Sequence, residues 1–358
     1  MNQIGRIMPT LSKMSRKLVG RLQDPRRDFR SSFRLLTASA AFITFFLALS
    51  GVHFGYVVLA PGPAPDVGKL TKIEATTYAS KGSFHMTTAL IDYPDGVDFR
   101  SAIHAWLDPQ RELIPREFVF PKSQTREEAD AEHVAQMTES QEAAVLAALK
   151  ELGIPPTDDG ALILSTAKKS PAHKTLKAGD VIVAVDRKPV VKVTDLAGLL
   201  AGRKPGDTVT LGIRRDGQPI DVLVQTIESP KEPGKTLVGV VVRQSRRLPI
   251  KVKVDARDIG GPSAGLMFAL AIYDALTPED LTKGHKIAGT GTIDGETGVV
   301  GPIGGIEQKV IGAKRLGADI FIAPDQDLEG ARAAADKGMR VIGVSNLREA
   351  IAALRRIR

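Results

Sequence analysis

Residues 260–265 read GGPSAG, and an uncharged apolar segment follows that continues to Asp274. We predict a helix from Ser263 to Leu276, and a helix that is apolar on every side is buried. Its first turn would place the Ser263 hydroxyl beside unpaired backbone N–H groups at the positive end of the helix dipole. A hydroxyl with neighbouring N–H donors suits acyl transfer through an oxyanion. Serine is also a common N-cap residue, so this pattern alone leaves a structural role open.

A second helix is predicted in residues 304–316, which read GGIEQKVIGAKRL. At 100° per residue Lys309 falls between Leu316 and Ala313, so its stem follows the apolar face of the helix. A buried lysine loses proton affinity by desolvation and can serve as a neutral base near neutral pH. A lysine that extends its amine into solvent would produce the same pattern.

Both helices belong to an alternating α/β pattern that covers residues 237–358, which we assign to one domain. The predicted strands are 237–243, 250–255, 286–293, 318–323 and 340–344, and the predicted helices are 263–276, 306–316, 328–337 and 347–355.

Three motifs in this block, GGPSAG, AGTGTIDGETGVVGPIGG at residues 288–305 and the following EQK, together resemble the proteolytic domain of Lon proteases. The resemblance implies that Ser263 is the nucleophile and Lys309 its base, a known variant of the catalytic triad. It also implies that Thr290 supports the lysine amine, with Gly261 and Pro262 as supporting residues of the nucleophile loop.

Two features depart from the usual Lon pattern. Gly260 stands where many Lon proteins have an aspartate, and the role of the nearby Asp258 is left open. The 358 residues also contain no GxxxxGK[ST] phosphate-binding loop, so we expect no ATP and no other cofactor. Substrates would then be polypeptides that are already unfolded or flexible.

Residues 153–229 have a β-rich pattern with one short helix. We predict strands at Ala161–Ser165 and Val181–Val185, a helix at Asp195–Leu200, and a hairpin across Asp216-Gly217. The run SPAHKTLKAGDVIVAVDRKPV at residues 170–190 resembles the PDZ domains of bacterial membrane and periplasmic proteases.

This resemblance implies that an extended peptide is added as a strand beside Ala161–Ala167 and against the short helix. Asp158 and Asp159 lie where a carboxylate-binding loop is expected, and their charge opposes capture of a free C-terminus. A module that is only a structural spacer remains an alternative. The peptide-contacting residues would be Ala161, Leu162, Ile163, Leu164, Leu196 and Leu200.

The N-terminal part reads as a membrane anchor. Residues 1–34 hold nine Lys or Arg and two acidic residues, whereas residues 35–65 hold no charged residue. A helix over residues 35–60 would be roughly 39 Å long, enough to cross a hydrocarbon core of about 30 Å. The positive-inside rule places the basic tail in the cytoplasm and the catalytic domain outside. A cleaved signal peptide or a buried core helix would explain the apolar run less well.

Composition excludes several other classes of protein. The net charge of +8 belongs almost entirely to the N-terminal tail, since the remaining chain holds 40 basic and 39 acidic residues, so we expect no nucleic-acid partner. The chain has no Cys, and its six His show no metal-ligand spacing, so we expect no metal. Residues 68–152 form a further α/β region, in which we predict no catalytic residue.

The sequence therefore predicts a multidomain protein: an N-terminal transmembrane helix, a β-rich PDZ-like module and a C-terminal α/β proteolytic domain of the Lon type. The predicted function is an ATP-independent, membrane-anchored serine endopeptidase that cleaves exported or membrane proteins. The alternatives are a catalytically silent, peptide-binding membrane scaffold, or an accessory or structural protein of the cell envelope. Its partners would be polypeptide substrates and membrane lipid, and a homo-oligomer is left open.

Overall fold

The structure is a computed structural model, and it describes residues 33, 36–41, 44, 53–91, 97–120, 126–230, 232–256 and 259–357. The chain forms two units, one of residues 1–60 with 90–126, the other of residues 61–89 with 127–358. Up to residue 151 the elements are β1 (His53–Phe54), β2 (Tyr56–Pro61), α1 (Val67–Leu70), β3 (Thr71–Ile73), β4 (Ser83–Met86), β5 (Ala89–Ile91), β6 (Val97–Asp98), α2 (Phe99–Leu107), β7 (Glu112–Pro115) and α3 (Arg126–Glu151).

The first unit contains a three-stranded sheet with the order β5–β2–β7, a β1–β6 ribbon and helix α2. Val58, Val97 and Ala105 form its small core. Helix α2 begins at Phe99, where the side chain of the N-cap residue Asp98 accepts a hydrogen bond of 2.7 Å from the Ser101 N–H.

The predicted transmembrane helix over residues 35–60 is wrong at its C-terminal end. From His53 onward the chain forms β1 and β2, and β2 pairs antiparallel with β7 in the register Val57↔Ile114. The run Tyr56–Leu59 is rich in aromatic and β-branched residues, which favour a strand.

Upstream of His53 the described residues at positions 36–41 are helical. The other residues of the predicted span, and the basic tail 1–34 apart from Phe33, lie outside the described residues. Among the helices that the structure describes, none combines the length and the apolar character needed to span a membrane.

The PDZ-like module is built on a sheet whose main path has the order β12–β11–β9–β8–β15. Asp216 and Gly217 both have positive φ, as the predicted hairpin turn between β11 and β12 requires. Ile163, Ile182, Leu211 and the helical Leu196 are among its core residues. The elements are β8 (Thr157–Thr166), β9 (Val181–Val185), β10 (Lys188–Pro189), α4 (Val193–Ala201), β11 (Thr208–Arg215), β12 (Gln218–Gln225), β13 (Ile227–Glu228), β14 (Thr236–Leu237) and β15 (Val240–Arg247).

The prediction that a foreign peptide is added beside Ala161–Ala167 is corrected by strand β15. This strand pairs antiparallel with β8 along most of its length, in the register Val242↔Ile163 and Gln244↔Ala161. Because β9 pairs with the other side of β8, the edge that a peptide would use is already filled by the chain itself. The strand had been predicted within the proteolytic block, whereas its hydrogen bonds place it in the PDZ-like sheet.

The predicted proteolytic domain contains a four-stranded parallel sheet with the order β21–β20–β17–β4. Helix α5 packs against this sheet and is buried from Gly265 to Asp274. The elements are β16 (Val252–Val254), α5 (Gly265–Ala275), β17 (Lys286–Gly289), β18 (Thr292–Ile293), β19 (Val300–Gly301), α6 (Ile306–Leu316), β20 (Ile320–Pro324), α7 (Leu328–Ala334), β21 (Arg340–Val344) and α8 (Leu347–Arg355).

Residues 68–152 are not one region, as the sequence had suggested. Residues 68–89 and 127–152 complete the predicted proteolytic domain, whereas residues 90–126 belong to the first unit. Strand β4 forms the edge of its parallel sheet, and β3 pairs with β16. The second half of α3 contributes Ala144, Ala148 and Leu149 to the same core as α5. The domain is therefore assembled from segments on both sides of the PDZ-like module.

Candidate active site

Ser263 lies two residues before helix α5, at the end of the glycine-rich loop. Its hydroxyl oxygen is 2.8 Å from the Lys309 amine. The N-cap of α5 is Ala264, and no side chain makes a capping hydrogen bond there. The serine is half-buried, whereas the helix behind it is fully enclosed. Ser263 therefore does not cap the helix. It is partly exposed to solvent, and its hydroxyl is hydrogen-bonded to an amine.

Lys309 lies in the second turn of α6, and only 4% of its surface is exposed. Its amine also lies 3.2 Å from the Thr290 hydroxyl oxygen, so the side chain does not extend to solvent. Burial lowers the pKa of Lys309 from 10.5 to about 8, an effect that the negative charge of Asp327 partly opposes. At pH 7.5 such a group is neutral in about a quarter of the molecules, against about one in a thousand for an exposed lysine.

Thr290 follows strand β17 directly and is fully buried. Its hydroxyl donates a 3.0 Å hydrogen bond to the Ser263 carbonyl and faces the Lys309 amine. Its backbone N–H donates to the Ile322 carbonyl of β20 at 3.0 Å, which fixes the residue to the sheet. Thr290 therefore connects the serine backbone, the lysine amine and the central sheet, and the structure brings these three predicted residues together.

The loop before Ser263 has the backbone shape that its sequence suggested. Gly261 has φ of 86°, a conformation that disfavours residues with a side chain. Its N–H donates a 3.2 Å hydrogen bond to the His133 carbonyl of α3, and the Pro262 carbonyl accepts a 2.8 Å hydrogen bond from the Ser140 hydroxyl. Gly261 and Pro262 thus contribute backbone geometry beside Ser263. Asp258 lies outside the described residues.

Two residues of the site were missed from the sequence. Asp327 ends a short 3₁₀ turn after β20 and accepts a 3.0 Å hydrogen bond from the Ile303 N–H. Its position after a parallel strand could have indicated it, because the carboxyl ends of such strands meet at one edge of the sheet. Ser140 gave no such signal, since it is 122 residues away from Pro262.

The residues predicted to bind peptide in the PDZ-like module have other roles. Ala161, Ile163, Leu196 and Leu200 are buried in the module core. The two remaining residues are Leu162, which pairs with Arg243 of β15, and Leu164, which is 48% exposed.

The two acids at this end of β8 are engaged by arginines. Asp158 lies 3.6 Å from Arg246 of β15, and Asp159 forms ion pairs with Arg214 and with Arg247 of β15. Gln244 extends the connection, because its side chain bonds the Gly160 carbonyl at 3.1 Å. Strand β15 is thus attached to β8 by side chains as well as by the sheet ladder.

Comparison with known proteins identifies both modules. Residues 241–355 match the C-terminal proteolytic domain of Lon protease (S16), and residues 137–226 match a PDZ domain. The Lon protease of Trichlorobacter lovleyi is 33% identical over 111 residues, which are 30% of this chain and 13% of that protein. Lon protease 1 of Bacillus subtilis is 35% identical over 94 residues, 25% of this chain and 12% of that protein.

The PDZ-like module has relatives of a second kind. A probable periplasmic serine endoprotease DegP-like from Bartonella henselae is 38% identical over 73 residues, 20% of this chain and 14% of that protein. The chain thus spans only 12–14% of the length of these three relatives. The matches assign a domain of the Lon proteolytic type to residues 241–355, which include Ser263, Thr290 and Lys309. A segment that matches a PDZ domain precedes it, at residues 137–226.

Proposed function

We propose that the protein is a serine endopeptidase that cleaves unfolded or flexible polypeptides with Ser263 as nucleophile and Lys309 as base. The observation that carries the proposal is the 2.8 Å distance between the Ser263 hydroxyl oxygen and an amine that is almost fully buried. A neutral amine at this distance can accept the hydroxyl proton, which an exposed, protonated lysine cannot do.

The reaction proceeds in two halves. Neutral Lys309 takes the proton of Ser263 while the hydroxyl oxygen attacks the scissile carbonyl. The Ser263 N–H and backbone N–H groups at the start of α5 stabilise the resulting oxyanion. The Lys309 ammonium then protonates the leaving amine as the C–N bond breaks, leaving an ester on Ser263. In the second half Lys309 takes a proton from water, the hydroxide attacks the ester, and the proton returns to Ser263 as the acid product leaves.

Thr290 supports this cycle by keeping the base and the nucleophile in position. Its hydroxyl contacts the Lys309 amine and the Ser263 carbonyl, so the base and the nucleophile backbone keep a fixed separation. The lysine must change charge during each turnover, and a hydroxyl can accept a hydrogen bond from the ammonium as well as orient the neutral amine.

We further propose that the protein acts without ATP and is anchored in a membrane, with the catalytic domain outside. The absence of a GxxxxGK[ST] motif from the 358 residues and the basic tail followed by an uncharged run support this part of the proposal. Substrates would then be exported or membrane proteins with exposed segments.

The test compares the full chain, purified in detergent, with Ser263→Ala and Lys309→Ala. Unfolded casein and a fluorophosphonate probe are added without ATP. We expect the wild type to cleave casein and to bind the probe covalently, and both variants to lose nearly all of both activities while their circular dichroism is unchanged. A folded wild type that neither cleaves nor reacts would favour the silent scaffold, and cleavage by Ser263→Ala would exclude this nucleophile.

A further inference from the structure

Helix α3, which precedes the PDZ-like module, passes directly behind the nucleophile loop. Ser140 interrupts an otherwise apolar stripe of this helix, between the buried Met137 and Ala144, and is itself only 5% exposed. Its hydroxyl donates a 2.8 Å hydrogen bond to the carbonyl of Pro262, the residue before the nucleophile. A buried hydroxyl that lacks a partner is destabilising, so this bond accounts for a polar residue in the stripe.

Ser140 also lies close to the start of α5. A Cβ added to Gly265 would come within 2.8 Å of the Ser140 hydroxyl oxygen, so the start of α5 lies against Ser140. The contact therefore holds the beginning of the nucleophile helix and the residue before the nucleophile at the same time. A second bond anchors the loop to α3, from the Gly261 N–H to the His133 carbonyl.

The geometry of the peptide bond extends the effect to Ser263. The peptide group is planar and trans, so the Pro262 carbonyl and the Ser263 N–H point in opposite directions from one rigid plane. Fixing the carbonyl oxygen therefore fixes the direction of the Ser263 N–H. On the other side, the Ser263 carbonyl is held by the Gly291 N–H at 2.8 Å and by Thr290. Both peptide groups that flank the nucleophile are thus held through their carbonyl oxygens.

We infer that Ser140 is a positioning residue of the active site, which directs the Ser263 N–H toward the oxyanion by holding the Pro262 carbonyl. The inference rests on the proposed peptidase function and extends it. The residue lies outside the segment matched by the Lon-type proteolytic domain, residues 241–355, and inside the segment matched by the PDZ domain, residues 137–226. The catalytic machinery therefore includes a helix that comes before the PDZ-like sheet in the chain.

The test compares Ser140→Ala with Thr138→Ala in the full chain. The control removes a hydroxyl from the same helix that bonds only the Val134 carbonyl one turn away. Removing an oxyanion donor outright lowers kcat roughly 100- to 1,000-fold in serine proteases, and misdirecting a donor should have a smaller effect. We expect Ser140→Ala to lower kcat about tenfold with KM within twofold, and Thr138→Ala to change neither. Ser140→Thr, which keeps a hydroxyl, should retain more of the activity than Ser140→Ala.

Three further measurements separate positioning from a structural role. A peptide boronic acid forms a tetrahedral adduct with the serine oxygen, so its dissociation constant should rise in Ser140→Ala by the same factor by which kcat falls. The pH midpoint of the activity should stay near the wild-type value, because Lys309 is not touched. Titration of active sites with the fluorophosphonate gives kcat per reactive serine, so a loss of folded protein is not counted as a loss of rate.

Each of these results would support or overturn the positioning role of Ser140. A Ser140→Ala protein whose kcat per reactive serine lies within twofold of the wild type overturns it, and so does one whose boronate affinity is unchanged. A loss confined to the fraction of reactive serine would make Ser140 a residue of folding only. A wild type that neither cleaves casein nor takes up the fluorophosphonate overturns the proposed function and this inference together.

Discussion

The pH dependence of peptide hydrolysis is the most direct test of the proposed lysine base. Only neutral Lys309 can accept the Ser263 proton, and its pKa is about 8. The neutral fraction then rises from about 9% at pH 7 to about 91% at pH 9, so kcat/KM should increase roughly tenfold across this interval. A histidine base would instead give a limb near pH 6.5.

Substitution of Asp327 should change the pKa of Lys309 in a direction that the structure predicts. Its negative charge favours the protonated amine and so raises the pKa of Lys309 against the larger effect of burial. Asp327→Asn removes the charge and keeps an oxygen that can accept the Ile303 N–H. The midpoint of the pH profile should therefore move to lower pH, and the variant should be relatively more active than the wild type at pH 7.

The assay is the initial rate of cleavage of a fluorogenic peptide between pH 6 and 10, at constant ionic strength. Asp325→Asn is the matched control, because this carboxylate lies in the same 3₁₀ turn and is not among the charges that shift the pKa of Lys309. A midpoint that stays fixed or moves upward in Asp327→Asn would contradict the electrostatic argument. A wild-type limb near pH 6.5 would contradict Lys309 as the base.

The remaining predictions concern the site residues, the PDZ-like module and the membrane anchor. Lys309→Met should abolish hydrolysis and yet raise the free energy of unfolding at pH 7 by about 2 kcal/mol, as measured by urea unfolding. Thr290→Ala should lower kcat without abolishing it, and the double variant Ser263→Ala/Lys309→Ala should lose little more activity than either single variant, because the pair acts as a unit. Calorimetry should detect no peptide binding beside Ala161–Ala167, free or amidated, since β15 fills that edge, and a tight peptide would show that β15 is displaced. External protease should digest residues 70–358 in spheroplasts if the anchor is oriented as proposed, and protection of that segment would exclude the orientation.

The elements of this protein were largely predictable from local patterns. The bounds predicted for α6, β21 and α8 agree with the structure to the residue, because each is set by a short periodic run and its flanking residues. The association of Ser263, Lys309 and Thr290 was predicted from motifs of the Lon type, since neither a lone Ser nor a lone Lys in a helix distinguishes catalysis from packing.

Pairings between distant parts of the chain could not be predicted from the sequence. Nothing in the local pattern of β4 reveals that it forms the edge of a sheet with β17, which lies some 200 residues later in the chain. Strand β15 was predicted as a strand, but it was assigned to the wrong sheet. Alternation of side chains with a period of two residues predicts a strand but does not identify the strand with which it pairs. The contact of Ser140 with Pro262 belongs to the same class, since it depends on how α3 docks.

Burial of Lys309 affects both the stability of the fold and the proposed reactivity of the site. The pKa of Lys309 is about 8 in the folded protein and close to 10.5 when the chain is unfolded, so the unfolded chain binds more protons between these values. The free energy of unfolding therefore rises with pH between about 8 and 10.5. Below pH 8 the folded protein bears the full cost of burying the protonated Lys309 amine. The difference between a pKa of 10.5 and a pKa of about 8 corresponds to about 3 kcal/mol, of which about 1 kcal/mol is offset by the hydrogen bonds that the amine makes. Lys309→Met removes both contributions, so its stabilisation should be largest at pH 7. Near pH 10.5 the penalty is nearly gone and the hydrogen bonds are still lost, so the variant should there be less stable than the wild type by up to about 1 kcal/mol. If the difference in unfolding free energy were instead the same at both pH values, folding would not lower the pKa of Lys309, and the basis for its role as a neutral base would be lost.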